Sequence, residues 1–157
     1  MKTIKSIFFI LFVLAIETVS SQSISITKTI DMNFGNIAVV SSGGDVILDP
    51  NGSRTRTGGV TLPATTGTVT AASFTISGTT LHTYAITLPL ADCTISSGGN
   101  NMTVDTFTST PSATGTLSGA TPGTQVVTVG ATLHIGGSQT SGTYTSGSPF
   151  TITVNYN

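Results

Sequence analysis

Three observations predict an all-β sandwich. Beyond an apolar amino-terminal segment, no stretch repeats its apolar residues at helical spacing, whereas period-two alternation recurs along the chain. Clusters of Gly, Pro, Asn and Ser punctuate the alternating segments at short intervals. Thr fills many alternate positions, and a β-branched side chain carrying a hydroxyl suits a pleated surface with one face in water.

The first segment reads as an export signal. Lys2 and Lys5 precede an apolar run from Ile7 to Ile16 that is shorter than the roughly 20 residues a membrane span requires. Val19-Ser20-Ser21 then offers the small residues a signal peptidase needs. The expected organisation is a signal-peptide helix over residues 1–21, cut before Gln22, and a single β-sandwich domain over residues 22–157. No membrane span follows cleavage, so the expected location is secreted, in the periplasm or at the cell surface. Cys93 lies far from the cut, which argues against a lipid-modified terminus, and as the only cysteine it makes no internal disulfide.

Strands are expected in order along the domain. Ile24, Ile26 and Ile30 alternate with Ser23, Ser25, Thr27 and Thr29, so the isoleucines share one face, with Lys28 interrupting. Further strands are predicted at Ile37–Val40, Asp45–Asp49, Val69–Ser77, Thr83–Leu88, Met102–Phe107, Gln125–Ile135 and Phe150–Tyr156. Asp49-Pro50-Asn51-Gly52 has a fixed φ, an Asx side chain and a glycine in the order of a tight turn. Ser41-Ser42-Gly43-Gly44, Ser96-Ser97-Gly98-Gly99 and Gly136-Gly137-Ser138 read as loops. Seven or more short strands in one domain suggest two packed sheets.

Charge excludes some functions. Only 7% of residues are charged, and past the signal the cations are Lys28, Arg54 and Arg56 against Asp31, Asp45, Asp49, Asp92 and Asp105. Without a basic cluster to neutralise phosphates, nucleic acid is not an expected partner. The domain has no Glu, and neither His82 nor His134 sits in a recognisable catalytic or zinc-binding spacing with Cys93. Both histidines are expected to face solvent, and Cys93 to act as a small buried apolar residue. Asp49-x-Asn51-Gly52 has the opening of a calcium loop without its further acidic ligands, so a plain turn is expected. Arg54 and Arg56 would share one face of an extended segment, as a solvated edge or an anionic-glycan contact. No catalytic, metal or cofactor-binding residue is predicted, and the protein is not expected to be an enzyme.

The informative pattern is at the two ends. Phe150, Ile152, Val154 and Tyr156 alternate with Thr151, Thr153 and Asn155 up to the penultimate residue. Terminal residues usually fray, so an apolar strand there implies a cover, either the chain's own sheet or another molecule.

Met32-Asn33-Phe34-Gly35-Asn36, Asp49-Pro50-Asn51-Gly52, Gly58-Gly59-Val60, Ala71-Ala72-Ser73-Phe74 and the ending from Gly142-Thr143-Tyr144 to Tyr156 resemble an uncharacterised secreted bacterial family, domain of unknown function 4402. The Asn33-Phe34-Gly35 element and the ending are also similar to the spore-coat-protein-U-like pilins of archaic chaperone–usher fimbriae. That second resemblance implies an incomplete immunoglobulin-like, pilin-like sandwich completed by β-strand addition, first by a periplasmic chaperone and then by a like subunit. It also implies a strand-addition interface, with Phe150, Ile152, Val154 and Tyr156 on the accepting strand and Ile24, Ile26 and Ile30 as the plug. The expected function is then a secreted structural or adhesive surface protein, a fimbrial subunit in cell adhesion. The alternatives are Ile24–Ile30 as the first strand of a self-contained sandwich, and a monomeric ligand- or glycan-binding module using loops Ser96–Asn101 and Gly136–Gly142.

Overall fold

The structure, a computed structural model, describes residues 22–157; the expected signal-peptide helix lies outside them. No α-helix occurs among the described residues, which form thirteen strands. In chain order these are β1 (Ser25–Ile30), β2 (Ala38–Val39), β3 (Gly44–Leu48), β4 (Arg54–Arg56), β5 (Val60–Thr61), β6 (Ala72–Gly78) and β7 (Thr83–Thr87). They continue as β8 (Cys93–Ser97), β9 (Asn100–Thr110), β10 (Thr114–Thr116), β11 (Gly123–Ile135), β12 (Thr145–Ser146) and β13 (Thr153–Tyr156).

The larger sheet runs β1-β6-β11-β9-β8-β12, with β3 and β4 continuing beside β11, and the smaller runs β10-β7-β13. All pairings are antiparallel. The order β1-β6-β11-β9 facing β7-β13 matches the four-strand sheet and two strands of the second sheet of an immunoglobulin sandwich. The strand that would complete the second sheet beyond β13 is absent from the described residues.

β11 organises the core because it is long enough to serve two partners. Its first half pairs β6 through residues 123–129, and its second half pairs β3 through residues 131–135. Val127, Val129, Ala131, Leu133 and Ile135 are buried in unbroken alternation, and each supplies apolar area to one of two cores. The first core joins Phe74, Ile76, Tyr84, Ile86, Leu117, Ile152 and Val154 between the sheets. The second joins Val46, Val60, Val104 and Leu133 under β3, β9 and β11, with Phe34, Ile37 and Leu62 packed on it. Burial of each large apolar side chain stabilises the fold by about 2 kcal/mol.

At the changeover, Gly130 lies so near the end of β3 that a Cβ there would sit 2.1 Å from the Leu48 carbonyl oxygen. β9 meets the same region with an extra residue: Gly130 pairs with Thr108 and Thr132 with Asp105, and Thr106 takes φ 48 in the resulting bulge.

The expected strands are present with altered bounds, and β4, β5, β8, β10 and β12 are added. Ser96 and Ser97 belong to β8, so the loop expected at Ser96–Asn101 is mostly a hairpin whose turn is Gly98-Gly99. The turn at Asp49–Gly52 joins β3 to β4, with Gly52 N donating to Asp49 O, Asn51 N to Asp49 Oδ1, and Ser53 N to Asn51 Oδ1. Those side-chain oxygens are thereby engaged in the turn.

Candidate functional site

β13 is an edge strand whose apolar row faces inward. Thr153 pairs with Thr87, Val154 with Ile86, Asn155 with Ala85 and Tyr156 with Tyr84. Asn157 N donates to Thr83 O at 3.3 Å, which sets the hydrogen-bond phase: Thr153, Asn155 and Asn157 direct their backbone groups at β7. The backbone groups of Val154 and Tyr156 therefore point to the other edge, where no described strand pairs with them.

Side chains hold this strand in place. Ile152 and Val154 are buried, and Phe150 packs edge-on to Phe74 with centroids 6.2 Å apart and tilted on Phe107 at 4.8 Å. The Tyr156 hydroxyl accepts from Thr79 N at 2.6 Å and donates to Ser23 O at 3.1 Å. That second bond ties the last strand to the backbone just ahead of β1. The Tyr156 ring also meets His82 edge-on at 5.6 Å, and His82 Nδ1 lies 3.0 Å from Thr80 O, so His82 is half-buried and not freely solvated.

β1 is the matching edge of the larger sheet. Its residues pair with β6 from Ser25 opposite Ser77 to Lys28 opposite Phe74, placing Ile26 beside Ile76 on the inward face. The structure thus brings Ile24, Ile26, Phe150, Ile152, Val154 and Tyr156 to one core. Ile30 does not join them. A register shift after Lys28 sets Ile30 opposite Ser73, which alternates to the face of β6 away from Ala72 and Phe74, and leaves Ile30 48% exposed. The expectation that all three isoleucines share a face is corrected by this bulge, in which Thr29 Oγ1 donates to Ser73 O.

Arg54 also departs from its expected solvated role. Its Nη1 donates to Phe34 O and to Asn36 O, the latter at 3.0 Å, and its Nη2 to Thr66 O at 3.5 Å. It is a clasp on the Asn33-Phe34-Gly35 element, where Asn33 Oδ1 accepts from Gly35 N and Gly35 takes φ 70. A Cβ on Gly35 would lie 2.4 Å from Thr66 O, so the motif needs glycine both for conformation and for space.

On the outer face, His134 projects from β11 as expected but lies between two carboxylates, its Nδ1 2.8 Å from Asp45 Oδ1 and its Nε2 2.9 Å from Asp105 Oδ1. Hydrogen bonding to Asp105 and then to Asp45 raises the His134 pKa. The same bond, with one from Thr106, lowers that of Asp105. Nothing local in the sequence signals this cluster, since its members are distant along the chain and meet only through strand register. Cys93 is half-buried against the second core, and burial, reinforced by Asp92, raises its thiol pKa. Among the described residues, no group of three or more His, Cys, Asp or Glu side chains is arranged to hold a metal ion.

The two loop regions expected at the other end do meet. Gln139 Nε2 donates to Asn101 O at 3.3 Å and to the Tyr144 hydroxyl at 2.9 Å, and Thr140 Oγ1 donates to Asn100 Oδ1 at 3.3 Å. Their polar groups are largely spent on one another.

Comparison with known proteins returns one family: the model described as Domain of unknown function (DUF4402) matches residues 24–156. No curated protein and no solved structure matches significantly. The match spans all thirteen strands.

Proposed function

We propose that this chain, which belongs to the DUF4402 family, is an exported structural or adhesive surface subunit that takes an extended strand from a partner along the open edge of β13. The observation that carries the reading is the edge that no strand among the described residues pairs: Val154 and Tyr156 present backbone donors and acceptors beside a row of apolar side chains. An extended segment bonds such an edge through its main chain and adds alternate apolar side chains to the core, which gives affinity and register together. The pilin resemblance of Asn33-Phe34-Gly35 and of the terminal strand supports the same reading. A like subunit or a periplasmic chaperone is the partner in this scheme.

Ser25–Ile30 already serves as the chain's own first strand, so in this form of the molecule that segment is not free to be donated. This favours β13 as the accepting side of the interface over Ile24–Ile30 as the plug. The histidines fit a non-catalytic role, each being committed to hydrogen bonds within the fold.

Amide exchange tests the reading. In isolated residues 22–157 the amides of Val154 and Tyr156 should exchange freely while that of Asn155 is protected. In assemblies, or with an added alternating apolar peptide, all three should be protected. Val154→Pro removes one edge donor without touching the β7 ladder and should weaken peptide binding about tenfold, the equivalent of one hydrogen bond. A chain that stays monomeric at every concentration, with Val154 and Tyr156 unprotected by any peptide, would instead favour the monomeric binding module.

A further inference from the structure

The β3–β4 hairpin joins the strand ladders on one side only. β3 bonds β11 through residues 131–135, and β4 bonds β3 and no further strand. The Asp45–His134–Asp105 cluster lies one position from the open end of this ladder, where Ile135 pairs with Gly44. It crosses three neighbouring strands, since Asp45 is on β3, His134 on β11 and Asp105 on β9. Both ring nitrogens face a carboxylate oxygen at under 3 Å, and only an imidazolium has an N–H for each. A neutral ring leaves one carboxylate facing a nitrogen lone pair.

Among the described residues, no other charged side chain pairs with this cluster. β6 has no titratable side chain, while Arg54 and Arg56 of β4 stand opposite Leu48 and Val46 and so lie on the face of the ladder away from Asp45. Cys93 of β8 stands opposite Val104, which faces inward. The remaining contacts are hydroxyls: Thr57 Oγ1 donates to Asp45 Oδ2 at 3.1 Å, and Thr106 Oγ1 to Asp105 Oδ1 at 2.8 Å. They orient the carboxylates toward the ring without titrating themselves.

We propose that Asp45, His134 and Asp105 form a pH-dependent staple that fastens the β3–β4 hairpin to the sandwich, closed in weakly acidic surroundings and released as the medium turns alkaline. The sign follows from the direction of each shift. His134 titrates above its ordinary 6.5 in the fold, so its contribution is full below 6.5 and is lost as pH rises through the folded value. Asp105 titrates below its ordinary 3.8, so its contribution is present above 3.8 and is lost as pH falls further. The staple is therefore closed between these limits. The hairpin carries Arg54 and so the clasp on residues 34–36, which makes that clasp the second element expected to loosen.

The test is hydrogen exchange with an NMR titration of His134 on residues 22–157, followed from about pH 5 to about pH 8.5. Amide protection in β3 and β4, corrected for intrinsic exchange, should fall about tenfold across the His134 midpoint, while β6 stays constant. In His134→Gln the protection should not vary with pH. Should that variant fail to fold, Asp105→Asn serves: the His134 midpoint should drop, and the loss of protection should move with it. A wild-type hairpin equally protected at both ends of the range would overturn the proposal. So would a fall that persists in His134→Gln, or one that stays in place in Asp105→Asn.

Discussion

The guanidinium of Arg54 meets the carbonyl oxygens of Phe34, Asn36 and Thr66, on two segments that no strand ladder joins to β4. A planar fork can serve several acceptors at once, whereas an ammonium is a compact point charge. Arg54→Ala should therefore cost about 2 kcal/mol of stability in urea unfolding, and Arg54→Lys should recover less than half of that loss. Tyr84 poses a related problem in the core. Its side chain is fully buried, and its hydroxyl donates to Gln125 Oε1 at 2.8 Å, an oxygen that also accepts from Thr116 N at 2.9 Å. Burial raises the Tyr84 pKa, so Tyr84 should stay protonated while an exposed tyrosine ionises. Tyr84→Phe should cost about 1 kcal/mol, since Gln125 keeps its bond to Thr116. These roles were not legible in the sequence: Arg54 reads as one half of an exposed Arg-x-Arg pair, and its acceptors are backbone atoms that carry no residue signature.

Strands were legible where alternation is long. β11 declares itself by Val127, Val129, Ala131, Leu133 and Ile135, and β7 and β13 by Tyr84 with Ile86 and Ile152 with Val154. The shorter β5, β10 and β12 escape notice because two or three residues cannot establish a period, and β8 because Cys93-Thr94-Ile95 runs directly into a serine and glycine cluster. Bulges are the harder loss. One extra residue reverses which face the following side chains take, and β1 carries such a slip between Lys28 and Ile30. The consequence is measurable: Ile26→Ala should cost about 1–2 kcal/mol, whereas Ile30→Ala should stay within about 0.5 kcal/mol. Gly130 sets a comparable limit on β11. With the Leu48 carbonyl 2.1 Å from where its Cβ would be, Gly130→Ala should cost about 3 kcal/mol by forcing β3 away from the strand it pairs with.

The first core closes only when strands from both ends of the domain have docked, since Ile24 and Ile26 enter it from one end and Ile152 and Val154 from the other. Removing residues 150–157 should therefore leave Tyr84 and Ile86 uncovered and produce a compact, dye-binding state with no near-ultraviolet dichroism. The overall plan of two packed antiparallel sheets was legible from composition and punctuation, because few charges and many threonines suit sheets whose outer faces are hydroxylated. The strand order was not, because pairing β1 with β6 and β11 with β3 joins segments that share no local signal. The bond from Tyr156 to Ser23 brings both tips of the sandwich to one pole. Traction applied through those tips would peel β1 and β13 away one rung at a time instead of shearing whole ladders. A fibre built from such units and meant to resist pulling would have to route its tension through a strand laid along β13, where every rung shares the load.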